Sequence, residues 1–392
     1  MIITKLRLHD FRNYPEITLY PHTGINLFFG QNGSGKTNLL EAVHCCALGR
    51  SHRAGNDREM VMRGRPSGGC GVTVDGEDGF SSEIVVHFTP EERRKKQVWI
   101  NRKKTTRLAE LMGHLRCVIF SPEDLSLVKE GPSARRRYLD MMISQLDVGY
   151  FVALQRYQKA MEERNSVLRE GKRQGAIRES LLDPYDELMA ESAAQILPRR
   201  QETMAWIGRV AAETYGEICG RPEERLETIY QPFSGARMDK EEILRVLREG
   251  RREDMARGTS CTGPHREDIL MMLSGREMRL YASQGQARTA ALALKLAQRR
   301  YFEEKTGEKP VLLLDDVMSE LDMSRRTRLL SEISGAQTFV TCTDESDLDG
   351  CGERRVYHVS LNAAACAEVE ERSDGGERRE DRGRQVEEPD FS

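Results

Sequence analysis

The chain of 392 residues has few aromatic residues and no long apolar run, and each shortage excludes a class of protein. Aromatic residues make up 6% of the sequence and charged residues 31%, which is typical of a helix-rich globular protein. No apolar run approaches the roughly 20 residues of a transmembrane helix, and the N-terminus lacks the apolar core of a secretory signal. We therefore expect a cytoplasmic protein with no membrane partner.

Paired cysteines are also missing. The nine cysteines are scattered along the chain without a C-x-x-C pair, and their number is odd. A disulfide framework and a zinc site both require a closer or more regular spacing. We expect most of these thiols to serve as small buried hydrophobic groups in a reducing cytoplasm.

Charge is nearly balanced but unevenly distributed, with a net charge of −3. Residues 366–392 contain ten acidic residues and five arginines, so the remaining 55 basic and 53 acidic residues give the rest of the chain +2. This segment has almost no large apolar side chain, and we expect it to be a disordered acidic tail. It is either a solvated appendage or a partner-binding segment, and its composition does not decide between the two.

The most specific motif is GQNGSGKT at residues 30–37, which matches the phosphate-binding pattern GxxxxGK[ST]. An apolar strand-like run precedes it and an amphipathic helical segment follows, as a phosphate loop requires. Glycines at three of these positions permit the positive φ angles that direct backbone N–H groups toward a phosphate. Lys36 would neutralise the β and γ oxygens, and Thr37 would coordinate Mg²⁺. The sequence thus predicts an ATP site at Gly30, Gln31, Asn32, Gly33, Ser34, Gly35, Lys36 and Thr37.

A second motif, VLLLDDVMSELD at residues 311–322, ends an apolar run in acidic residues. Four consecutive apolar residues predict a parallel strand that is buried on both faces. Asp315, at the carboxyl end of this strand, would support the Mg²⁺, and Asp316 could polarise an attacking water. Alone, the pattern also fits a strand that ends in a solvated turn. A pocket that needs both motifs must form from distant parts of the chain.

The segment YASQGQ, about thirty residues before the acidic strand, opens a helical stretch and resembles the LSGGQ signature of ABC-type ATPases. In that superfamily the signature of one subunit caps the γ-phosphate bound by the other. The resemblance implies that Ser283, Gln284, Gly285 and Gln286 cap ATP in trans, with Gln284 replacing a glycine. The alternative is an ordinary helix with a serine N-cap.

SELD at residues 319–322 is similar to the D-loop of the superfamily. Thr341 or Thr343 stands where transporters carry a switch histidine, so we expect no histidine switch.

The N-terminal region is rich in predicted strands, and two charged segments flank the short strand near residue 98. Basic loop tips on a sheet suit contact with the DNA phosphate backbone. Charged tips also serve solubility and protect sheet edges, so the pattern leaves both interpretations open. The candidate DNA-binding residues are Arg93, Arg94, Lys95, Lys96, Arg102, Lys103 and Lys104, with Arg107 close by.

From about Asp124 to Arg257 apolar residues recur at helical spacing, and no heptad pattern persists long enough for a coiled-coil arm. The arginines at residues 135–137 open the first of these helices, where they could meet phosphate or simply face solvent. We predict an α/β fold: an ABC/SMC-type P-loop ATPase head with a β-rich N-terminal subdomain and an inserted helical lobe. The head would comprise residues 1–122 and 258–362, and the lobe residues 123–257.

Four sequence blocks resemble the bacterial RecF family of recombination-mediator ATPases. These blocks are SPEDLSLVKEGPSARRRYLD (residues 121–140), TGPHREDI (262–269), LRLHDFRNYPEI near the start and ALGRSHRAGNDREMV after the phosphate-loop helix. The match extends from Met1 to about Ser360, with the motifs in the family's order. The acidic tail lies outside it.

This resemblance implies an ATP-dependent homodimer that binds double-stranded and gapped DNA and hydrolyses ATP weakly, with stimulation by DNA. It also implies action with RecR and RecO to load RecA onto gaps coated with SSB, in gap repair and the SOS response. Arg12 would contact nucleotide, and Glu123 and Asp124 would occupy the place of the Q-loop without its glutamine. His265 and Arg266 receive no role beyond a structured turn. The alternatives are an ABC-type ATPase subunit of another complex and an SMC-like DNA tether.

Overall fold

The N-terminal part of the chain forms a six-stranded antiparallel sheet in a computed structural model, which describes residues 1–77, 79–90, 96–175, 178–221, 223–233, 239–345 and 353–372. Alternating apolar residues place one face of this sheet in the core, as a half-buried antiparallel sheet requires. The predicted β-rich N-terminal region is confirmed. With elements numbered in chain order, the strands run β2-β1-β4-β5-β6-β7 across the sheet: β1 (Ile2–Phe11), β2 (Tyr14–Leu19), β4 (Gly68–Asp75), β5 (Ser81–Phe88), β6 (Lys96–Ile100) and β7 (Lys103–Lys104).

A second six-stranded sheet is parallel except for one edge strand, and it brings distant parts of the chain together. The order is β15-β14-β3-β13-β12-β8, with β3 (Ile25–Phe29), β8 (Cys117–Phe120), β12 (Val311–Asp315), β13 (Thr338–Cys342), β14 (Arg354–Leu361) and β15 (Ala367–Arg372). Along β12, Val311 and Leu313 join the core beneath the antiparallel sheet, whereas Leu312 and Leu314 join the core beneath the helices. The prediction of a strand buried on both faces is confirmed.

Helices cover both faces of the parallel sheet. The helix after β3 lies between the two sheets and is buried along most of its length, whereas the others pack against the opposite face or on one another. Among the described residues, no helix combines the length and the apolar composition needed to cross a bilayer. The helices are α1 (Lys36–Leu48), α2 (Ser126–Lys129), α3 (Pro132–Ser144), α4 (Val148–Gln174), α5 (Asp183–Cys219), α6 (Lys240–Glu249), α7 (Arg251–Arg257), α8 (Met278–Tyr281), α9 (Gln284–Thr306) and α10 (Met323–Ile333).

Buried ion pairs fix the helices of the second layer to one another. The guanidinium of Arg164 on α4 is completely buried, and it donates to Asp186 of α5 at 2.6 Å and to Asp254 of α7 at 2.7 Å. Arg251, the first residue of α7, binds the same Asp186 at 2.6 Å. Because a buried charge without a partner is costly, this network fixes the mutual positions of three helices.

Within the stretch that we expected to be helical, Leu226–Gln231 instead forms a strand, β9. Its side chains alternate between buried and exposed positions, and it pairs antiparallel with β10 (Asp268–Leu273), which also pairs with β11 (Arg276–Glu277). The expectation of helix is therefore wrong for these six residues. Their side chains follow the period of two of a strand, and the pairing with β10 makes them part of a sheet. The pairing of β9 with β10 crosses the predicted boundary at residues 257–258. The division of the chain into head and lobe stays a prediction.

The start of the predicted tail also differs from our expectation. Ala367–Arg372 form β15, which pairs antiparallel with β14, with Val369 opposite Val359. The prediction of disorder from residue 366 onward is therefore wrong for Ala367–Arg372. In this stretch Ala367 and Val369 alternate with acidic residues and pack on the core. Residues 373–392 lie outside the described part of the chain.

Candidate nucleotide-binding site

The phosphate-loop motif connects β3 to α1, as the sequence predicts. Gly30, Gly33 and Gly35 all have positive φ angles, of 151°, 83° and 114°. A Cβ on Gly30 would lie 2.1 Å from the carbonyl oxygen of Val359, so β14 leaves space for glycine alone at that position. The last glycine is the N-cap of α1, which directs the N-terminus of the helix into the loop.

The loop is held from outside by residues that follow β1. The amide of Asn13 donates to the carbonyl of Ser34 at 3.1 Å, and the hydroxyl of Tyr14 donates to that of Gly35 at 3.2 Å. The amide of Asn38, on the first turn of α1, donates to the Asn13 carbonyl oxygen at 2.7 Å. These bonds tie the loop and the first turn of α1 to the residues that follow β1.

Lys36 is buried, and its ammonium group lies inside the loop. Its Nζ donates to the carbonyls of Gly30 at 2.7 Å and Gln31 at 2.9 Å. Burial lowers the pKa of this lysine, and the nearby carboxylates of Asp316 and Asp315 partly offset that effect. The ammonium is therefore positioned where it can meet phosphate oxygens.

Asp315 at the end of β12 joins the phosphate loop, although the two lie in distant parts of the sequence. Its Oδ1 accepts hydrogen bonds from the Thr37 hydroxyl at 2.7 Å and from the Thr341 hydroxyl at 2.8 Å. Burial raises the pKa of Asp315, and both hydrogen bonds partly offset the rise. A hydroxyl and a carboxylate side by side are hard oxygen ligands, so this pair fits Mg²⁺. Thr341 is the threonine, of the two candidates, that reaches the site.

Asp316 follows in a strained conformation, with a φ of +52°. Its N–H donates to the Thr341 hydroxyl at 2.9 Å, and its Oδ1 is buried without a hydrogen-bond partner in the described structure. A left-handed backbone at a non-glycine residue costs on the order of 1–3 kcal/mol and is concentrated at functional sites. One carboxylate oxygen of Asp316 is thus available to accept a hydrogen bond.

A buried carboxylate on α1, which the sequence motifs did not indicate, organises the space beneath the loop. Glu41 is fully buried and accepts from Arg12 at 2.8 Å through both oxygens, from Arg53 at 3.1 Å, and from the Ser51 hydroxyl. Burial alone would raise its pKa, but the hydrogen bonds from Arg12, Arg53 and Ser51 outweigh it and hold the pKa at about 2. Arg12, which we expected to contact nucleotide, forms an ion pair with Glu41, and its contact with nucleotide stays a prediction. The only sequence signal for Arg53 was the family-like block after α1.

The signature turn caps α9 through a reciprocal pair of hydrogen bonds. The N–H of Gln286 donates to the Ser283 hydroxyl at 3.2 Å, and the Ser283 N–H donates to the Gln286 side chain at 2.9 Å. Arg325 of α10 donates to the Gly285 carbonyl at 3.3 Å, which fixes the turn from behind. Ser283 and Gln284 are exposed. Within the described residues, no hydrogen bond or ion pair joins this turn to the phosphate loop of the same chain.

The turn after β8 is coupled to the signature helix. Asp124 forms an ion pair with Lys295 of α9 at 2.8 Å and also accepts from the Ser121 N–H at 2.9 Å. Lys295 is nearly buried and lies 5.3 Å from the centre of the Tyr138 ring. Burial raises the pKa of Asp124, and Lys295 partly offsets the rise. Glu123, its predicted companion, is exposed.

The candidate DNA-binding residues on the antiparallel sheet are only partly described. Lys96 lies 3.1 Å from Asp57, and Arg102 lies 3.6 Å from Glu83, so these two charges are already engaged. Lys104 approaches the Trp99 ring at 5.4 Å, and Lys103 is exposed. Arg93, Arg94 and Lys95 lie outside the described residues. DNA contact by these tips stays a prediction.

Comparison with known proteins agrees with this architecture. Residues 2–367 match the family model described as RecF/RecN/SMC N terminal domain. A "DNA replication and repair protein RecF" from Symbiobacterium thermophilum is 41% identical over 357 residues, which cover 89% of this chain and 93% of that protein. The RecF protein of Alkaliphilus oremlandii is 37% identical, with 92% and 99% covered.

Solved structures give the same result. The recombination mediator protein RecF with ATP is 35% identical and superposes with a TM-score of 0.86, covering 95% of this chain and 98% of that one. The Smc head domain of Pyrococcus furiosus is 18% identical and superposes with a TM-score of 0.56, covering 95% of this chain and 96% of that one. This likeness shows a shared fold. The predicted ABC/SMC-type ATPase head is therefore confirmed.

Proposed function

Because this chain belongs to the RecF family, we propose that it is an ATP-dependent, DNA-binding recombination mediator that acts in gap repair. The observation that carries the proposal is the hydrogen bond of 2.7 Å between Thr37 and Asp315, which are 278 residues apart in sequence. It joins the phosphate loop to the acidic strand, which supports one shared site for a nucleotide and its magnesium ion.

Hydrolysis would depend on four side chains of one subunit. Lys36 would hold the β and γ oxygens, while Thr37 and Asp315 would hold the metal. When bound, Mg²⁺ would neutralise charge on the phosphates. Asp316, with its unpartnered oxygen, would orient the attacking water and accept its proton. We propose a weak ATPase, stimulated by DNA, in which hydrolysis serves as a switch.

A second copy of the chain would complete the site. Ser283, Gln284, Gly285 and Gln286 would cap the γ-phosphate of the partner through the Ser283 hydroxyl and the N-terminus of α9. Exposed apolar side chains surround this face: Leu280 is 61% exposed, Tyr281 68% and Met323 75%. Apolar groups exposed beside a polar turn support a protein interface at this face. ATP would favour the dimer because it would bind the assembled interface more tightly than the monomer.

The proposed ligand of this dimer is duplex DNA beside a single-strand gap. We propose that it works in the cytoplasm with RecR and RecO and promotes RecA loading on gaps coated with SSB, which supports SOS induction. The solved relatives are named as members of the RecFOR pathway, and this shared family membership supports the partners. The basic residues Lys103 and Lys104 remain candidates for phosphate contact.

The test is to measure binding of a gapped duplex with Mg·ATP, with Mg·ADP and without nucleotide, while sedimentation of the same samples gives the oligomeric state. We expect tight binding only with ATP, in samples that also contain a dimer. Binding should weaken steeply with salt if phosphates are contacted. A monomer that ignores DNA in all three states would contradict the proposal and favour an ATPase subunit of another complex.

A further inference from the structure

An open cavity of about 270 Å³ lies between α3, α4, the residue that follows the C-cap of α1 and the turn at Pro264. Its charged and polar lining includes four arginines, Arg50, Arg136, Arg137 and Arg200, together with Ser133, Asp140, Gln158 and His265. Arg50, Arg137, Ser133 and Gln158 are exposed, so the cavity is accessible from solvent. The cavity is separate from the phosphate loop, whose residues do not line it.

Three of the four cavity arginines, Arg50, Arg136 and Arg137, have no carboxylate partner within the described residues. Arg136 donates to the carbonyl of Glu267 at 2.6 Å, and Arg137 donates to that of His52 at 2.7 Å. The guanidinium of Arg50 makes no hydrogen bond or ion pair with the described part of the chain. Desolvation by the surrounding protein lowers the pKa of Arg50, the charge of Arg137 lowers it further, and Asp140 partly offsets both effects. Three like charges thus share one space without a paired counter-ion.

The other titratable groups of the cavity do not neutralise them. Asp140 is engaged by Arg200 at 2.7 Å and by the hydroxyl of Tyr150. His265 is hydrogen-bonded to the Tyr157 hydroxyl at 2.7 Å and to a main-chain carbonyl, and burial lowers its pKa to about 4. The histidine is therefore neutral at pH 7, and the aspartate is matched by its own arginine.

Neighbouring arginines differ from Arg50, Arg136 and Arg137 because they are paired with carboxylates. Arg135, next to Arg136 on the same helix, is buried and forms a two-pronged ion pair with Asp268 at 2.7 Å and 2.9 Å. The buried Arg164 and Arg200 are also paired with carboxylates. In this part of the molecule an arginine that serves the fold has an acidic partner. Arg200, at the wall of the cavity, is one such residue. The other three arginines that line the cavity lack an acidic partner, as expected of side chains that bind an external anion.

We propose that this cavity binds a phosphate group of the DNA backbone, with Arg50, Arg136 and Arg137 as its donors, and this rests on the proposed DNA-binding function. Planar guanidinium groups match the oxygens of a phosphate, and such contacts are independent of base sequence. A free nucleotide suits the cavity less, because the Tyr157 ring is buried and offers no face for stacking a base. The open rim formed by Arg50 and Arg137 admits a large ligand.

The substitution Arg50→Gln tests the proposal with little risk to folding, because its guanidinium has no structural partner. Full-length protein, saturated with a non-hydrolysable ATP analogue and Mg²⁺, is titrated with a fluorescent gapped duplex at several salt concentrations. We expect affinity to fall about tenfold, as for one lost charged hydrogen bond. The slope of log affinity against log salt should decrease by about 0.9, the value for one phosphate contact. Arg50→Lys should keep the slope. Arg173→Gln, which removes an exposed arginine near the end of α4, should change neither quantity.

A second arm identifies the source of the phosphate. With the phosphate loop saturated by Mg·ADP, thermal unfolding of wild type and Arg50→Gln is measured with and without inorganic phosphate. Equal DNA affinities and slopes, with phosphate stabilising only the wild type, would assign the cavity to a small anion and overturn the DNA assignment. Equal DNA affinities without any phosphate effect would overturn the site altogether, yet leave the proposed function intact. Failure of the wild type itself to bind DNA would overturn both.

Discussion

Replacement of Glu41 by glutamine tests the charge cluster beneath the phosphate loop. This carboxylate is fully buried and is surrounded by Arg12, Arg53 and the Ser51 hydroxyl. Glutamine keeps the size and one carbonyl oxygen but removes the negative charge. Both guanidinium groups would then lose their shared counter-ion, and the loop after α1 would lose its anchor.

The magnitude follows from the pKa. A carboxylate whose pKa is lowered in the folded state stabilises the fold above its unfolded value, and this contribution disappears as pH falls toward the folded value. For Glu41 the ordinary value is 4.5 and the folded value is about 2. The gap corresponds to about 3 kcal/mol of stability at pH 7, of which about 1.4 kcal/mol is lost per pH unit below 4.5. We therefore expect Glu41→Gln to be about 3 kcal/mol less stable at pH 7.

Urea unfolding at pH 7, 5 and 4 measures this difference, and Trp99 of β6 provides a fluorescent probe in the antiparallel sheet. The matched control is Glu59→Gln, because Glu59 lies 3.8 Å from Arg12 but is 53% exposed. A surface pair of this kind contributes at most about 1 kcal/mol. The reasoning would be refuted if the free energies of unfolding of wild type and Glu41→Gln differed by less than 1 kcal/mol at pH 7. It would also be refuted if this difference did not decrease between pH 5 and pH 4.

Three further substitutions test the site and the helical layer. Lys36→Arg should retain some nucleotide binding but slow ATP turnover about 100-fold, because a forked guanidinium cannot replace a compact ammonium in the loop; unchanged turnover would exclude the site. Ser283→Arg should abolish ATP-dependent dimers in sedimentation while monomers still bind ATP, and Ser81→Arg on the antiparallel sheet is its control; normal dimers would exclude the trans cap. Arg164→Met should lower the free energy of unfolding by about 3–5 kcal/mol, because Asp186 loses one of its two arginines and Asp254 loses the arginine with which it pairs. A loss below 1 kcal/mol in urea titrations would show that the network is not required.

Where function depends on a local backbone conformation, the sequence was a sufficient guide. The phosphate loop needs glycines at fixed spacing and a helix directly after them, so the start of α1 at Lys36 follows from the motif itself. The acidic strand β12 was equally clear, since four apolar residues in a row can be buried on both faces only in a covered parallel sheet. The serine cap of α9 followed from the same kind of local rule.

Features that depend on contacts between distant residues were not predictable in this way. Glu41 lies on a helix where a glutamate would normally face solvent, and nothing near it in sequence indicates that Arg12 and Arg53 converge on it. The strands β9 and β15 are only six residues each, and their partners decide their conformation. Two of the cavity arginines, Arg136 and Arg137, directly follow Arg135 in the sequence, and only the structure shows that Arg135 has a carboxylate partner while they have none.

The Glu41 cluster and the arginine cavity share one short segment, residues 51–53. Substitutions on the two sides of this segment therefore distinguish an effect on folding from an effect on DNA binding. Arg137 of α3 donates to the carbonyls of Ser51 and His52 from the cavity side, while the Ser51 hydroxyl and Arg53 bind Glu41 from the side of the phosphate loop. Loss of the Glu41 charge frees one side of this segment and is therefore expected to affect both stability and the cavity. Arg50 contributes to neither anchor, so its loss should leave unfolding unchanged. If both substitutions lowered DNA affinity but only Glu41→Gln lowered stability, the cavity would be a binding site supported by the cluster, rather than a part of the fold that happens to be charged.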